Sequence, residues 1–353
     1  MSTRKNHWVQ SGWGIEVRSV DQLVRLVGRV GTLERGQKFV WRGVADASWQ
    51  ILSSLQVAIK RGDFAKAKLH SNPNDQDDLR QVERRILDGA HHWGIGVTEG
   101  GVMPDLQLLA MLQHHGAPTR LIDVTTDPMT ALWFACQPPA SLRGSPVDEG
   151  GRESGRRRSP KHALFAFNVT SVANVTTVEP MGGLTSSFAD QAAASLDVAL
   201  THSRDTGNPV LLTPRVQDVR MAAQRGRFLL GVESTSPVVP GLHAFPYEAG
   251  SPPGEEGLTR LMAPEEKGKG RPRRIDFLAI IFNDGIREKI LDHLRASYDT
   301  SASTMYPDLQ GYVEALKFDA FDLDKVPARG QLDQLIFNPE APAATAELAD
   351  DDS

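Results

Sequence analysis

The segment 106–136, which reads LQLLAMLQHHGAPTRLIDVTTDPMTALWFAC, constrains the fold most strongly, because it contains signals for two helices joined by a short connection. Leucines at helical spacing predict a helix over about 104–115 that ends at Gly116. Asp127 and Pro128 predict the start of a second helix, since a carboxylate can cap exposed amides and proline at the first helical position loses no hydrogen bond. The chain between the two helices is therefore predicted to be an extended strap.

Polar side chains are concentrated on this strap, residues 117–126. Pro118 disfavours helix at the residue before it, and the apolar residues that follow favour a strand. The strap is predicted to hold four polar side chains in place, those of Arg120, Asp123, Thr125 and Thr126. This density of polar groups on a rigid connection predicts a functional site.

Composition narrows the class of protein. The chain has 353 residues, enough for one elaborated domain or two, and its hydrophobic content of 40% supports a sizeable core. The single cysteine, Cys136, excludes disulfides and a cysteine-based metal site.

His114 and His115 point in different directions at a helix end and no acidic ligand set follows them, so we expect no metal. With no bilayer-length apolar run and no signal-peptide core, we expect a cytoplasmic protein that does not bind membranes.

Short strands and helices follow one another without regular alternation, which predicts an α+β fold with a single mixed-sheet domain and flanking helices. No G-x-G-x-x-G motif follows a strand and no P-loop is present, which disfavours Rossmann and phosphate-loop enzymes. The further predicted helices cover 20–30, 79–92, 216–223, 285–296 and 309–316, and the predicted strands cover 38–42, 163–169, 210–212, 228–232 and 277–282.

The predicted domain spans 36–337 and follows an N-terminal extension with a helix at 1–35. Two stretches inside it, near 137–161 and 249–274, are predicted as exposed excursions, the first because it lacks apolar periodicity. The acidic tail at 338–353 is predicted to be disordered. Both excursions carry basic clusters, which either contact nucleic-acid phosphates or remain solvated loops.

Arg42 is the first candidate for ligand binding. An arginine at a strand end, followed by a glycine such as Gly43 that lets a ligand approach the backbone, is suited to holding a diphosphate or a carboxylate. Thr125 and Thr126 offer hydroxyls beside a helix N-terminus, which also favours anions. Arg42 could equally form an internal ion pair with Asp123.

Four motifs in order resemble the FRG domain family, which is named for a Phe/Tyr-Arg-Gly motif. They are FVWRGVAD, the central HHGAPTRLIDVTTDPMTALWFA, Gln224-x-Gly226-x-Phe228, and TMYPDLQGYVEAL. The resemblance runs from about residue 36 to 317, and the departures at Trp41, His115 and Val124 remove no charge. It implies a bacterial or phage-associated accessory protein with a toxin or anti-phage role.

Part of the same sequence is similar to the mono-ADP-ribosyltransferases of the arginine-first class. That resemblance implies an ADP-ribosyltransferase-like fold with NAD as the cofactor and a protein or nucleic acid as the acceptor. In it, Arg42 holds the diphosphate, and Thr125 and Thr126 position the nicotinamide ribose. Further contacts to the nucleotide are expected from the motif residues Gly43, His114, Thr119, Arg120 and Asp123.

The catalytic glutamate of that class has no clear counterpart. Gln224 stands where it is expected, and an amide could orient a ribose hydroxyl but could not act as the anion. Asp123 or Glu233 could replace it. The alternative function is a non-catalytic module that binds a nucleotide or a nucleic acid. Independently of the function, Arg120 and Asp123 could form an internal clamp.

Overall fold

The computed structural model describes residues 6–33, 36–64, 76–98, 101–137, 161–176, 195–214, 219–263, 270–309 and 311–313. Within them, ten strands form: β1 (Gly14–Glu16), β2 (Phe39–Val44), β3 (Val97–Thr98), β4 (Gly101–Val102), β5 (Ile122–Thr125), β6 (Lys161–Asn168), β7 (Ala173–Thr176), β8 (Val210–Thr213), β9 (Gly226–Leu230) and β10 (Phe277–Asn283). Strands β3 and β4 form a small hairpin, and the other eight form one sheet.

The helices of the described residues flank this sheet. They are α1 (His7–Gln10), α2 (Val20–Val30), α3 (Ser54–Arg61), α4 (Gln76–His92), α5 (Asp105–His114), α6 (Pro128–Ala135), α7 (Leu196–Thr206), α8 (Val219–Ala223), α9 (Gly254–Met262), α10 (Asp284–Tyr298) and α11 (Ala302–Met305).

The eight-stranded sheet is mixed, in the order β1-β10-β6-β2-β5-β9-β8-β7. Strands β1 and β10 are parallel, as are β7 and β8, and the remaining pairs are antiparallel. A mixed sheet with flanking helices confirms the α+β single-domain prediction. One buried cluster on one face of the sheet contains residues of α2, α6 and α10, so these helices bury their apolar sides against the strands.

The sheet consists of two halves that meet at one residue pair. Strand β2 pairs with β6 along its whole length, but its ladder with β5 consists only of Trp41 opposite Thr125. In a continued antiparallel ladder, Gly43 would lie opposite Asp123. The ladder stops before that pair, and the two strands leave a gap at this point.

Helix α6 begins as its sequence predicts. The Asp127 carboxylate accepts a hydrogen bond from the Met129 amide at 3.0 Å, and Pro128 occupies the first turn. The helix then lies directly against β2, where a Cβ added to Gly43 would be 1.8 Å from the Ala131 carbonyl oxygen. Gly43 therefore makes room for a helix, a role that the sequence did not suggest.

Two regions that the sequence placed outside the domain or on its surface form part of the sheet or the core. The N-terminal extension contributes β1 to the edge of the sheet. The second predicted excursion contains α9, whose Leu258 and Leu261 are fully buried in the core. The first predicted excursion lies outside the described residues except for Gln137 and Lys161, as does the predicted disordered tail at 338–353.

Candidate functional site

A cavity of about 410 Å³ opens where β2 and β5 separate. Its wall comes from β2, β5 and β9, from α5, α6 and α8, and from the segment after α11. Six of the nine residues predicted for the ligand site line it: Arg42, Gly43, His114, Asp123, Thr125 and Gln224. The structure thus brings together residues that lie far apart along the chain.

Arg42 bridges the gap in the sheet. Its guanidinium donates a hydrogen bond to the backbone carbonyl of Asp123 at 2.7 Å, in place of the missing strand ladder. Its closest approach to the Asp123 carboxylate is longer, 3.9 Å, and that carboxylate also accepts a hydrogen bond from the side-chain amide of Gln113. The Arg42 side chain remains 25% exposed. The internal ion pair foreseen as an alternative is therefore loose, and the Arg42 side chain lines the cavity.

Burial lowers the pKa of the Arg42 guanidinium, and attraction to Asp123 opposes that shift only in part. An arginine stays charged under any ordinary condition. The guanidinium is partly desolvated, and the Asp123 carboxylate at 3.9 Å offsets only part of that penalty. An anion placed beside Arg42 would be stabilised by the same imbalance.

The two threonines have different surroundings. Thr125 is buried; its hydroxyl donates to the Gln224 carbonyl at 2.7 Å and accepts from the Asp127 amide at 3.0 Å. Thr126 is exposed and does not line the cavity. The prediction that both threonines face one site is therefore wrong for Thr126. The Met129 amide in the first turn of α6 is also already used, because the Asp127 carboxylate caps it.

Gln224 connects the cavity wall to the chain that follows α11. Its side-chain amide donates to the Met305 carbonyl at 2.9 Å. The next residue, Tyr306, lines the cavity and lies under the Arg220 guanidinium, 4.7 Å from its ring centroid. Gln224 thus positions this segment, and its carbonyl holds Thr125.

Arg120 and Thr119 do not reach the cavity. Arg120 is 1% exposed, and its Nε donates to the Glu83 carboxylate at 2.7 Å, while Glu233 lies 3.7 Å from its Nη1. The predicted clamp between Arg120 and Asp123 is wrong, because Arg120 points into the interior. Glu233 is buried beside Arg120 and does not line the cavity.

Thr119 is also fully buried. Its hydroxyl donates to Gln113 at 2.7 Å and accepts from the Leu121 amide, so it fixes the strap against α5. The roles predicted for Thr119 and Arg120 in nucleotide contact do not fit these positions. Both belong to the support of the site.

Several cavity residues were missed in the sequence. The charged ones are Arg220 and Arg227, and the aromatic ones include Trp49 and Tyr306. Arg220 is balanced by Asp308 at 2.6 Å. Arg227 lies between Gly226 and Phe228 of the third motif. This position was the one sequence feature that could have indicated Arg227 as a cavity residue.

A second cavity, of about 860 Å³, adjoins the first. Arg42, Val44 and Trp49 line both. The Trp49 side chain, with 46% of the residue exposed, stands at the boundary between them. The two cavities thus form one cleft with Arg42 near its middle.

Other predicted features are tested only in part. No group of three metal-binding side chains is found among the described residues, and no helix in this part of the chain is long and apolar enough to span a bilayer. Of the basic clusters, the stretches 156–160 and 264–269 lie outside the described residues. In the remainder, Lys161 pairs with Glu16 and Arg274 with Asp276.

Comparison with known proteins identifies part of the chain. A family model described as FRG domain matches residues 37–143, which include the first two motifs with Arg42 and Arg120. The third and fourth motifs lie beyond the matched segment, so their assignment to the family stays a prediction. No curated protein and no solved structure matches the chain.

Proposed function

Since the chain contains an FRG domain, we propose that the cleft around Arg42 binds NAD or a related nucleotide and that the protein is an ADP-ribosyltransferase-like effector. The observation that carries the proposal is the position of Arg42, a partly exposed guanidinium in the wall of a cavity. Charge-assisted hydrogen bonds from arginine to phosphate are strong and directional. The diphosphate of the nucleotide would therefore lie against Arg42.

Charge in the cavity supports an anionic ligand. Among the described residues that line it, three are arginines and one is a carboxylate, Asp123. Aromatic side chains from Trp41, Trp49 and Tyr306 supply flat apolar surface for the rings of a nucleotide. The resemblance to ADP-ribosyltransferases favours NAD over other nucleotides.

Asp123 is the candidate for the anionic catalytic group, since its carboxylate is exposed and lies in the cavity wall. In the proposed transfer, the glycosidic bond to nicotinamide breaks and nicotinamide leaves with the bonding electrons. The acceptor atom of a protein or nucleic acid then bonds to the anomeric carbon, and its proton passes to Asp123. A carboxylate near the reacting ribose stabilises the positive charge that develops there.

One observation favours the second candidate, a non-catalytic nucleotide-binding module. The Thr125 hydroxyl is already used in two internal hydrogen bonds, and the Asp123 carboxylate is shared with Gln113. A site with these groups engaged can hold a nucleotide without cleaving it.

Incubation of the purified full chain with NAD separates the two functions. Release of nicotinamide, together with its loss in an Asp123→Asn variant that still binds ADP-ribose, supports the enzyme. Saturable binding of NAD with no nicotinamide release supports the module. Absence of both binding and release contradicts the proposal.

Arg42→Lys tests the role of the guanidinium. Lysine keeps the positive charge but loses the planar fork, so we expect NAD affinity to fall by about tenfold or more. The matched control is Arg18→Lys on an exposed residue that lines neither cavity, and it should bind as the unmodified chain does. A toxin or anti-phage role in the cytoplasm extends the same proposal: growth arrest on expression in bacteria should disappear with Arg42→Lys and persist with Arg18→Lys.

A further inference from the structure

Arg227 is a second positive charge in the same cavity, and the described residues do not neutralise it. It lines the cavity and is half-buried. Its one hydrogen bond in this part of the chain goes to the backbone carbonyl of the preceding residue, Gly226, at 2.7 Å. No carboxylate of the described residues forms an ion pair with it, and burial alone lowers the pKa of its guanidinium.

The sheet register places Arg227 beside the position that Arg42 reaches. On β9, Arg227 lies opposite Val124, which is the neighbour of Asp123 on β5. Arg42 reaches across from β2 to the carbonyl of that same Asp123. The two arginines thus approach one short stretch of β5 from its two sides.

Arg220 provides the internal comparison. It also lines the cavity, but Asp308 lies 2.6 Å away and Tyr306 packs against its guanidinium. Its charge is therefore balanced within the protein. A partly desolvated charge without a partner costs free energy, and an anion that enters the cavity would offset that cost.

We propose that Arg227 and Arg42 form an arginine pair that binds two adjacent phosphates, so that the cavity selects diphosphate-containing ligands over single phosphates. The inference rests on the proposed nucleotide-binding function and gives it a ligand class. Among the described residues, Arg227 makes no contact that requires a guanidinium fork. A ligand anion would explain a charge at the cavity wall that no carboxylate in this part of the chain pairs with.

Calorimetric titration of the full chain with inorganic pyrophosphate and with inorganic phosphate tests the pair. We expect pyrophosphate to bind more tightly than phosphate. Arg227→Gln should weaken pyrophosphate binding by about tenfold, because one charge-assisted hydrogen bond is lost. Phosphate, which Arg42 alone can hold, should lose less. Arg18→Gln is the control and should not change either affinity.

Three results would overturn the inference: no binding of pyrophosphate to the unmodified chain, wild-type affinity in Arg227→Gln, or an equal loss in Arg18→Gln. Melting temperatures of all variants show whether each is folded. Arg227→Lys keeps the charge and serves as the test if Arg227→Gln does not fold. It should bind pyrophosphate with an affinity between those of the unmodified chain and Arg227→Gln.

A parallel titration with NAD distinguishes this inference from the proposed function. Pyrophosphate binding that depends on Arg227, without NAD binding, supports the arginine pair and contradicts the NAD proposal. NAD binding that Arg42→Gln abolishes and Arg227→Gln leaves intact supports the NAD proposal and overturns the pair.

Discussion

The cleft around Arg42 and the interior cluster around Arg120 both place a guanidinium near carboxylates, but they balance its charge differently. Burial alone would lower the pKa of Arg120, yet attraction to Glu83 and Glu233 outweighs burial and raises it. The pKa of Arg42 is lowered, because Asp123 does not compensate for burial. Arg42 and Arg120 both lie in sequence motifs, and the motifs do not distinguish the roles of the two arginines. Arg120 is buried with two carboxylates, whereas the Arg42 side chain is 25% exposed in the wall of a cavity.

The largest effect is expected when the interior charge balance is broken. Arg120→Met would remove the buried cation that faces Glu83 and Glu233 and leave Arg80 as the described ion-pair partner of Glu83, at a cost of about 3–5 kcal/mol in the free energy of unfolding. Urea denaturation measures the change. A loss below about 1 kcal/mol would contradict the description of Arg120 as a structural residue.

The second largest loss of stability is expected at the contact between β2 and α6. Gly43→Ala would push a methyl group into the backbone of α6, and we expect a loss of about 3 kcal/mol, the upper end of the usual range for overpacking. Gly28→Ala is the matched control, because it lies in α2 with open space around it and should gain about 0.5–1 kcal/mol. Thermal unfolding of the two variants should therefore shift in opposite directions. Equal shifts would show that α6 can move away from β2.

The two threonines give a smaller contrast. Thr125→Val removes a hydroxyl that serves two backbone groups, and about 1–2 kcal/mol of stability should be lost. Thr126→Val should change stability by less than about 0.5 kcal/mol, because the residue is exposed. NAD binding that depends on Thr126 as strongly as on Thr125 would restore the original prediction that both contact the ligand.

Among the substitutions that remove an internal contact, Arg42→Met should have the smallest effect on folding. It removes one hydrogen bond to the Asp123 carbonyl beside an open cavity, worth about 1 kcal/mol. The substitution matches Arg120→Met in chemistry, so chemical denaturation of both variants compares the two environments directly. If the two variants lost equal stability, Arg42 would be as structural as Arg120, and the case for a binding site would weaken.

Local sequence signals predicted much of the fold. The helix at 20–30 has the predicted bounds, and Asp127 caps α6 as expected. Strand β1 and helix α9 were missed, because both are short and gain their stability from tertiary packing: β1 from pairing with β10, and α9 from two buried leucines. Short elements of this kind carry too little periodic signal to be recognised locally.

The sequence by itself determined which side chains are available for chemistry, because motif spacing and local capping depend only on neighbouring residues. It identified Arg42, Asp123, Thr125 and Gln224, which do line one cavity. Only the tertiary structure decided which charges are neutralised. Arg120 meets Glu83 from a distant helix, while Arg227 arrives at the cavity through its pairing with β5 and has no carboxylate partner among the described residues. Charge balance depends on distances between segments remote in sequence, and no local pattern records those distances.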